Sequence, residues 1–155
     1  MIPRPDGSDR DYRMLVTFAG VRFELSEEWC DVTGDLDPGS PPTLARENGV
    51  GVIQFSVAKY KSGEKPSITE AGLKDMLLEL FKSKHLGDAE PTILQGSRCF
   101  GAGATSAKTD AVIGAWYLSN GTDIALVTYT CMSGDPARQR ELADAEKLAK
   151  TLEFV

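Results

Sequence analysis

Residues 67–87, SITEAGLKDMLLELFKSKHLG, place Leu73, Met76, Leu77, Leu80 and Phe81 on one face of a helix, with Ser67 and Glu70 in capping-box spacing. Lys82, Lys84 and His85 follow at the negative end of the helix dipole, and Gly87 offers a left-handed cap. What surrounds this helix constrains the fold most. On both sides the text changes to short runs that alternate apolar and polar residues, many of them joined by turn dipeptides. A helix set between period-two segments with short connections demands a largely antiparallel sheet with helices packed on it, an α+β domain rather than a doubly wound one. About six strands and two main helices are expected.

Before the helix, MLVTFAG and VRFELS break at Gly20 and read as a strand pair or one kinked strand, with Val21, Phe23 and Leu25 on a shared face. Trp29 closes the edge of that core. The DPGSPP segment excludes regular structure, because proline fixes φ and lacks a donor. Asn48-Gly49 then signals a type I′ hairpin leading into VGVIQFSVAKY. After the helix, three strands are expected: PTILQGSRCFGAGATSA, AVIGAWYLS and DIALVTYTCM, the last two meeting across Asn120-Gly121. Gly114 and the GAGA run suggest bulges. Asp135-Pro136 opens a terminal helix whose stripe is Leu142, Ala145, Ala149 and Leu152.

A chain of 155 residues is about one domain. Residues 1–12, with two prolines, a glycine and mixed charges, read as a loose arm, and 13–155 as the folded unit. No apolar run approaches the roughly 18–20 residues of a spanning helix, and MIPRPDGSDRDYR has no apolar signal core. The expected location is the cytoplasm. Cys30, Cys99 and Cys131, odd in number and unpaired in spacing, fit reduced thiols rather than a disulfide framework.

Catalytic and cofactor patterns fail on physical grounds. A Ser-His-Asp or Cys-His arrangement could use only the single histidine, His85, and its setting in the last turn of a basic helix end is explained more simply by compensation of the helix dipole. Three scattered cysteines and one histidine lack zinc-ligand spacing. GAGAT at 101–105 lacks the third glycine of a dinucleotide loop and opens no apolar helix. Asp31, Asp35 and Asp37 lack the order and closing glutamate of an EF-hand. No cofactor and no metal are therefore expected, and the chain reads as a non-enzyme. An enzyme built on an unrecognised carboxylate pair is the alternative. Nucleic acid is disfavoured as a partner by the acidic balance, and Lys59, Lys61 and Lys65 read as a solvated hairpin end.

The formal charge is −6, and residues 23–45 account for all of it, with six carboxylates and no lysine or arginine. Such a stretch is either a solvated edge or a field that steers a basic protein surface, with Trp29 and Leu36 inside it as anchors. The candidate partner-binding residues are Glu27, Glu28, Trp29, Asp31, Asp35, Leu36 and Asp37.

The spacing F-x-L-x-x-x-W at Phe23, Leu25 and Trp29, a strand ending in FSV, a helix carrying L-x-x-M-L, a run of strands and a closing TLEF together resemble the PsbP-like fold over roughly residues 14–155. That α-β-α sandwich is shared with the Ran-binding Mog proteins. The resemblance implies a binding protein without catalytic residues. Among small bacterial members it points to an immunity protein that occludes a cognate toxin with a basic surface. The alternatives are an Eag-type chaperone for a type VI secretion effector and a housekeeping binding domain. The acidic stretch favours the immunity reading.

Overall fold

The computed structural model describes residues 13–96, 98–108, 111–132 and 134–155. The expected amino-terminal arm, residues 1–12, lies outside the described residues. The chain runs through β1 (Arg13–Phe18), β2 (Val21–Ser26), β3 (Trp29–Asp31), β4 (Thr43–Arg46) and β5 (Gly51–Ala58) before α1 (Glu70–Ser83). It continues through β6 (Thr92–Gln95), β7 (Phe100–Lys108), β8 (Ala111–Ser119), β9 (Ile124–Cys131), α2 (Ala137–Thr151) and β10 (Glu153–Phe154). Seven strands form one antiparallel sheet in the order β3-β4-β5-β9-β8-β7-β6, and β1-β2-β10 form a second. The α+β class and the two helices are as expected. Among the described residues ten strands stand where about six were expected: MLVTFAG and VRFELS are two strands rather than one kinked strand, the stretch from Pro91 divides into β6 and β7, the acidic run itself contributes β3, and Glu153–Phe154 adds β10 after α2.

The large sheet carries a different core on each face. On one side α1 inserts Leu73, Leu77 and Phe81 against Ala102, Ala104 and Ala115, so small side chains let the helix approach closely. On the other side lie α2 and the small sheet. There Phe23 stacks on Phe55 with ring centroids 5.3 Å apart, and Phe18 meets Phe55 edge-on. Leu148, Leu152, Trp116 and Val127 complete this larger core.

The glycines of β7 and β8 make no bulge. Pairing runs without a slip from Phe100↔Ser119 to Lys108↔Ala111. Their purpose is steric: Trp116 lies across Gly103 and Gly114, and a Cβ on Gly114 would come within 2.5 Å of Trp116 Cη2. Local turns also differ from expectation. Ala19 and Gly20 are both left-handed, at φ +57° and +85°, so β1 and β2 form a two-residue hairpin. At Asn48-Gly49 only Asn48 is left-handed, and the loop is longer than a type I′ turn, because the backbone after it reaches for a buried carboxylate described below. Thr69, not Ser67, caps α1, accepting from the Gly72 N–H. The left-handed residue ending α1 is His85 rather than Gly87 alone: the Leu86 N–H donates to the Phe81 carbonyl at 2.9 Å and the His85 N–H to that of Lys82. Asp135 does cap the last helix, its carboxylate accepting from the Ala137 N–H at 2.8 Å.

Trp116 is 2% exposed. Truncation to alanine is expected to lower stability by about 3–5 kcal/mol in denaturant melts. A change below about 1 kcal/mol would contradict this packing.

Candidate partner-binding edge

The acidic run divides into residues that serve the fold and residues that face solvent. Trp29 is 7% exposed and donates its indole N–H to Asp144 of α2 at 3.1 Å. It therefore fastens β3 to the helix and is withdrawn from the surface. Glu28 lies between two cations, with Arg46 at 2.6 Å and Arg140 at 2.8 Å. Arg46 also reaches Glu141 at 3.3 Å.

Glu141 is the centre of this arrangement. Its side chain is fully buried, and it accepts from the backbone N–H groups of Val50 (3.1 Å) and Gly51 (2.9 Å) and from the Tyr129 hydroxyl (2.8 Å). Burial, with the Glu141 hydrogen bond and charge behind it, raises the Tyr129 pKa far above the usual phenol value, so the hydroxyl stays protonated and donating. The packing leaves no space for side chains at the turn. A Cβ on Gly49 would lie 2.9 Å from Glu141 Oε2, and one on Gly51 would lie 2.5 Å from the Tyr129 oxygen. Sequence reasoning missed Glu141 and Asp144. The available signal was their position: both are carboxylates among the stripe residues Ala145, Leu148 and Leu152, where a solvated acid has no place.

Glu27, Asp31, Asp35 and Asp37 remain exposed, together with Leu36 at 39% exposure. None of these four carboxylates pairs with a lysine or arginine among the described residues. Glu27 lies in the turn between β2 and β3, while Asp31 stands on β3, Asp35 on the Thr33–Asp35 3₁₀ turn and Asp37 on the segment after it, at one edge of the seven-stranded sheet. This loop has internal ties. The Thr43 N–H donates to Thr33 Oγ1 at 2.8 Å, Val32 donates to the Thr43 carbonyl, and Ser40 to that of Asp37. Asp31 accepts from the Thr33 N–H at 2.9 Å, and the hydrogen bonds from the Thr33 backbone and then its side chain hold its carboxyl below the usual range. The edge thus presents negative charge from an ordered frame.

Other chemistry is sparse. Among the described residues no group of three His, Cys, Asp or Glu side chains is placed to hold a metal ion. His85 is exposed at the end of α1. None of the three cysteines is in a disulfide, Cys30 being exposed and Cys99 and Cys131 buried; burial, followed by the charge of Glu153, pushes Cys99 up to about 11. Among the described residues no helix is long and apolar enough to cross a membrane.

No family model matches the sequence, and no curated protein matches it. Solved structures do match. A crystal structure from Bacteroides thetaiotaomicron VPI-5482 is 14% identical with a TM-score of 0.54, covering 92% of this chain and 48% of its own. The chain thus spans about half the length of that protein. The solution structure of cyanobacterial PsbP (CyanoP) from Synechocystis sp. PCC 6803 is 12% identical with a TM-score of 0.54, covering 93% of this chain and 92% of its own. The fold is PsbP-like. At such identities the likeness extends to the fold alone.

The division of the acidic run has a measurable consequence. Glu28→Gln is expected to lower stability by about 1 kcal/mol, since it weakens two partly buried ion pairs, whereas Glu27→Gln should stay within about 0.5 kcal/mol of the parent. Equal effects in denaturant melts would contradict the division.

Proposed function

We propose that this chain is a non-catalytic, cytoplasmic protein-binding domain whose acidic edge docks a basic protein surface, and that it serves as an immunity protein occluding a cognate toxin. One observation carries the reading: Asp31, Asp35 and Asp37 are exposed and uncompensated on either side of Leu36 in an internally tied loop, with Glu27 likewise exposed in the preceding β2–β3 turn. A fixed row of carboxylates steers a cationic partner during approach, and an apolar side chain among them supplies contact area once water leaves. Charges on an edge strand also discourage pairing with other sheets, so the same residues keep the edge soluble until the partner arrives. Trp29 and Glu28 contribute indirectly, by holding β3 against α2 and β4.

A second reading, a chaperone for apolar effector helices, is favoured by Met76 and Leu78, which are exposed on α1. Beside them lies an open cleft of about 610 Å³ lined in part by Leu78, Phe81 and Ala89. Lys82, Asp88 and Glu90 also line it, which suits an apolar helix poorly.

The test is co-purification with the product of the adjacent gene, followed by binding traces at two salt concentrations. Replacing Glu27, Asp31, Asp35 and Asp37 by their amides is expected to leave the fold intact. Association should slow by about tenfold or more and lose most of its salt dependence. A four-site variant that binds and protects cells like the parent would overturn the acidic-edge reading. If Met76→Ser with Leu78→Ser abolishes binding instead, the chaperone reading takes its place.

A further inference from the structure

An edge strand leaves a row of backbone groups unused, and proteins ordinarily shorten, charge or interrupt such edges. Among the described residues three of the four edge strands follow that rule: β3 has three residues and ends in Asp31, β6 has four and follows Pro91, and β10 has two. β1 does not. It runs for six residues, is hydrogen-bonded to β2 alone, and at residues 14–18, MLVTF, holds no charge, proline or glycine.

What this free edge presents follows from the pairing of the hairpin. The Glu24 N–H points away from β1 and donates to Thr151 Oγ1 of α2 at 2.9 Å, so the pair Leu15↔Glu24 exchanges no backbone hydrogen bonds. Leu15 and Thr17 therefore aim their own N–H and C=O groups outward from the edge. The side chains are equally uncovered. Met14 shares the interior face with Leu25, yet Leu25 is 2% exposed and Met14 40%, because the apolar layer ends at β1 with no strand beyond it. Leu15, on the outer face, is 67% exposed.

This strand is complementary to itself. An antiparallel copy set about a two-fold axis at Leu15 brings the outward backbone groups of the two Leu15 residues together, with each Met14 opposite Val16 of the other copy on the interior side. Apolar residues then meet apolar residues at all three positions. Charge points the same way: at a net charge of −6 most surfaces repel a second copy, whereas MLVTF is neutral. The Glu24 carboxylates flanking the axis would stand three strand spacings apart, roughly 14 Å, beyond a screening length of about 8 Å.

We propose that β1 pairs with β1 of a second copy of this chain, joining two three-stranded sheets into one of six strands. The interface lies on the small sheet and is independent of the acidic edge on β3, so the two readings fail or stand separately. A pair of short strands buries less than the roughly 1,200 Å² of a standard interface, which makes the dimer a weak one, with a Kd on the order of 10–100 µM.

Sedimentation equilibrium of the full chain, from about tenfold below to about tenfold above that Kd, should follow a reversible monomer–dimer curve. Leu15→Lys sets two ammonium groups against each other, and Thr17→Pro removes an outward N–H that β2 does not use. Each is expected to weaken association about tenfold or more. Hydrogen exchange followed by NMR gives a second reading: the Leu15 and Thr17 amides should exchange more slowly as concentration rises, while Val16, whose N–H faces β2, should not change. If a variant loses its fold, exchange in the parent decides. A monomer throughout, undiminished association by either folded variant, or Leu15 exchange that ignores concentration would each overturn the proposal.

Discussion

A carboxylate buried beside a hairpin organises this molecule. Glu141 has no contact with solvent, and an ionised acid in that position costs several kcal/mol unless its oxygens are fully occupied. They are occupied by groups from three elements: the backbone of Val50 and Gly51 leading into β5, the Tyr129 hydroxyl of β9 and the Arg46 guanidinium of β4. Those partners can converge only when α2 lies at one position along the sheet. The hydrophobic stripe on α2 brings the helix down, and Glu141 fixes where it stops.

That fixed position determines which acidic residues remain available for recognition. With α2 in place, Asp144 receives the Trp29 indole and Arg140 joins Arg46 on Glu28. Glu28 and Trp29 are thereby absorbed into the framework. Glu27 in the turn just before them, and Asp31, Asp35 and Asp37 after them, present charge without a lysine or arginine partner among the described residues. A domain with little room for rearrangement in its core can still offer a rigid, charged edge, and rigidity reduces the ordering cost of docking.

Much of the architecture was legible in the sequence because it follows from periodicity. The residues Leu73, Leu77 and Phe81 of α1 and the alternation of Ile53, Phe55 and Val57 in β5 declare their elements directly, and the interior faces follow from them. Features depending on contacts between distant segments were not legible. The glycines of β7 and β8 look like bulges locally, and only the presence of Trp116 across them reveals their steric role. Trp29 and Glu28 look like parts of a surface hook until Asp144, Arg46 and Arg140 are in view. Glu141 resembles any helix carboxylate unless its place on the apolar stripe is taken as a warning, and no local pattern identifies its hairpin partners.

The central claim is that Glu141 and Tyr129 act as one buried unit that positions α2. A double-mutant cycle with Glu141→Gln, Tyr129→Phe and the combined variant, measured by urea denaturation at constant pH, tests it most directly. The account predicts a coupling of about 1–3 kcal/mol, because each single substitution strands the other partner without water. Additivity of the two substitutions within about 0.3 kcal/mol would contradict it.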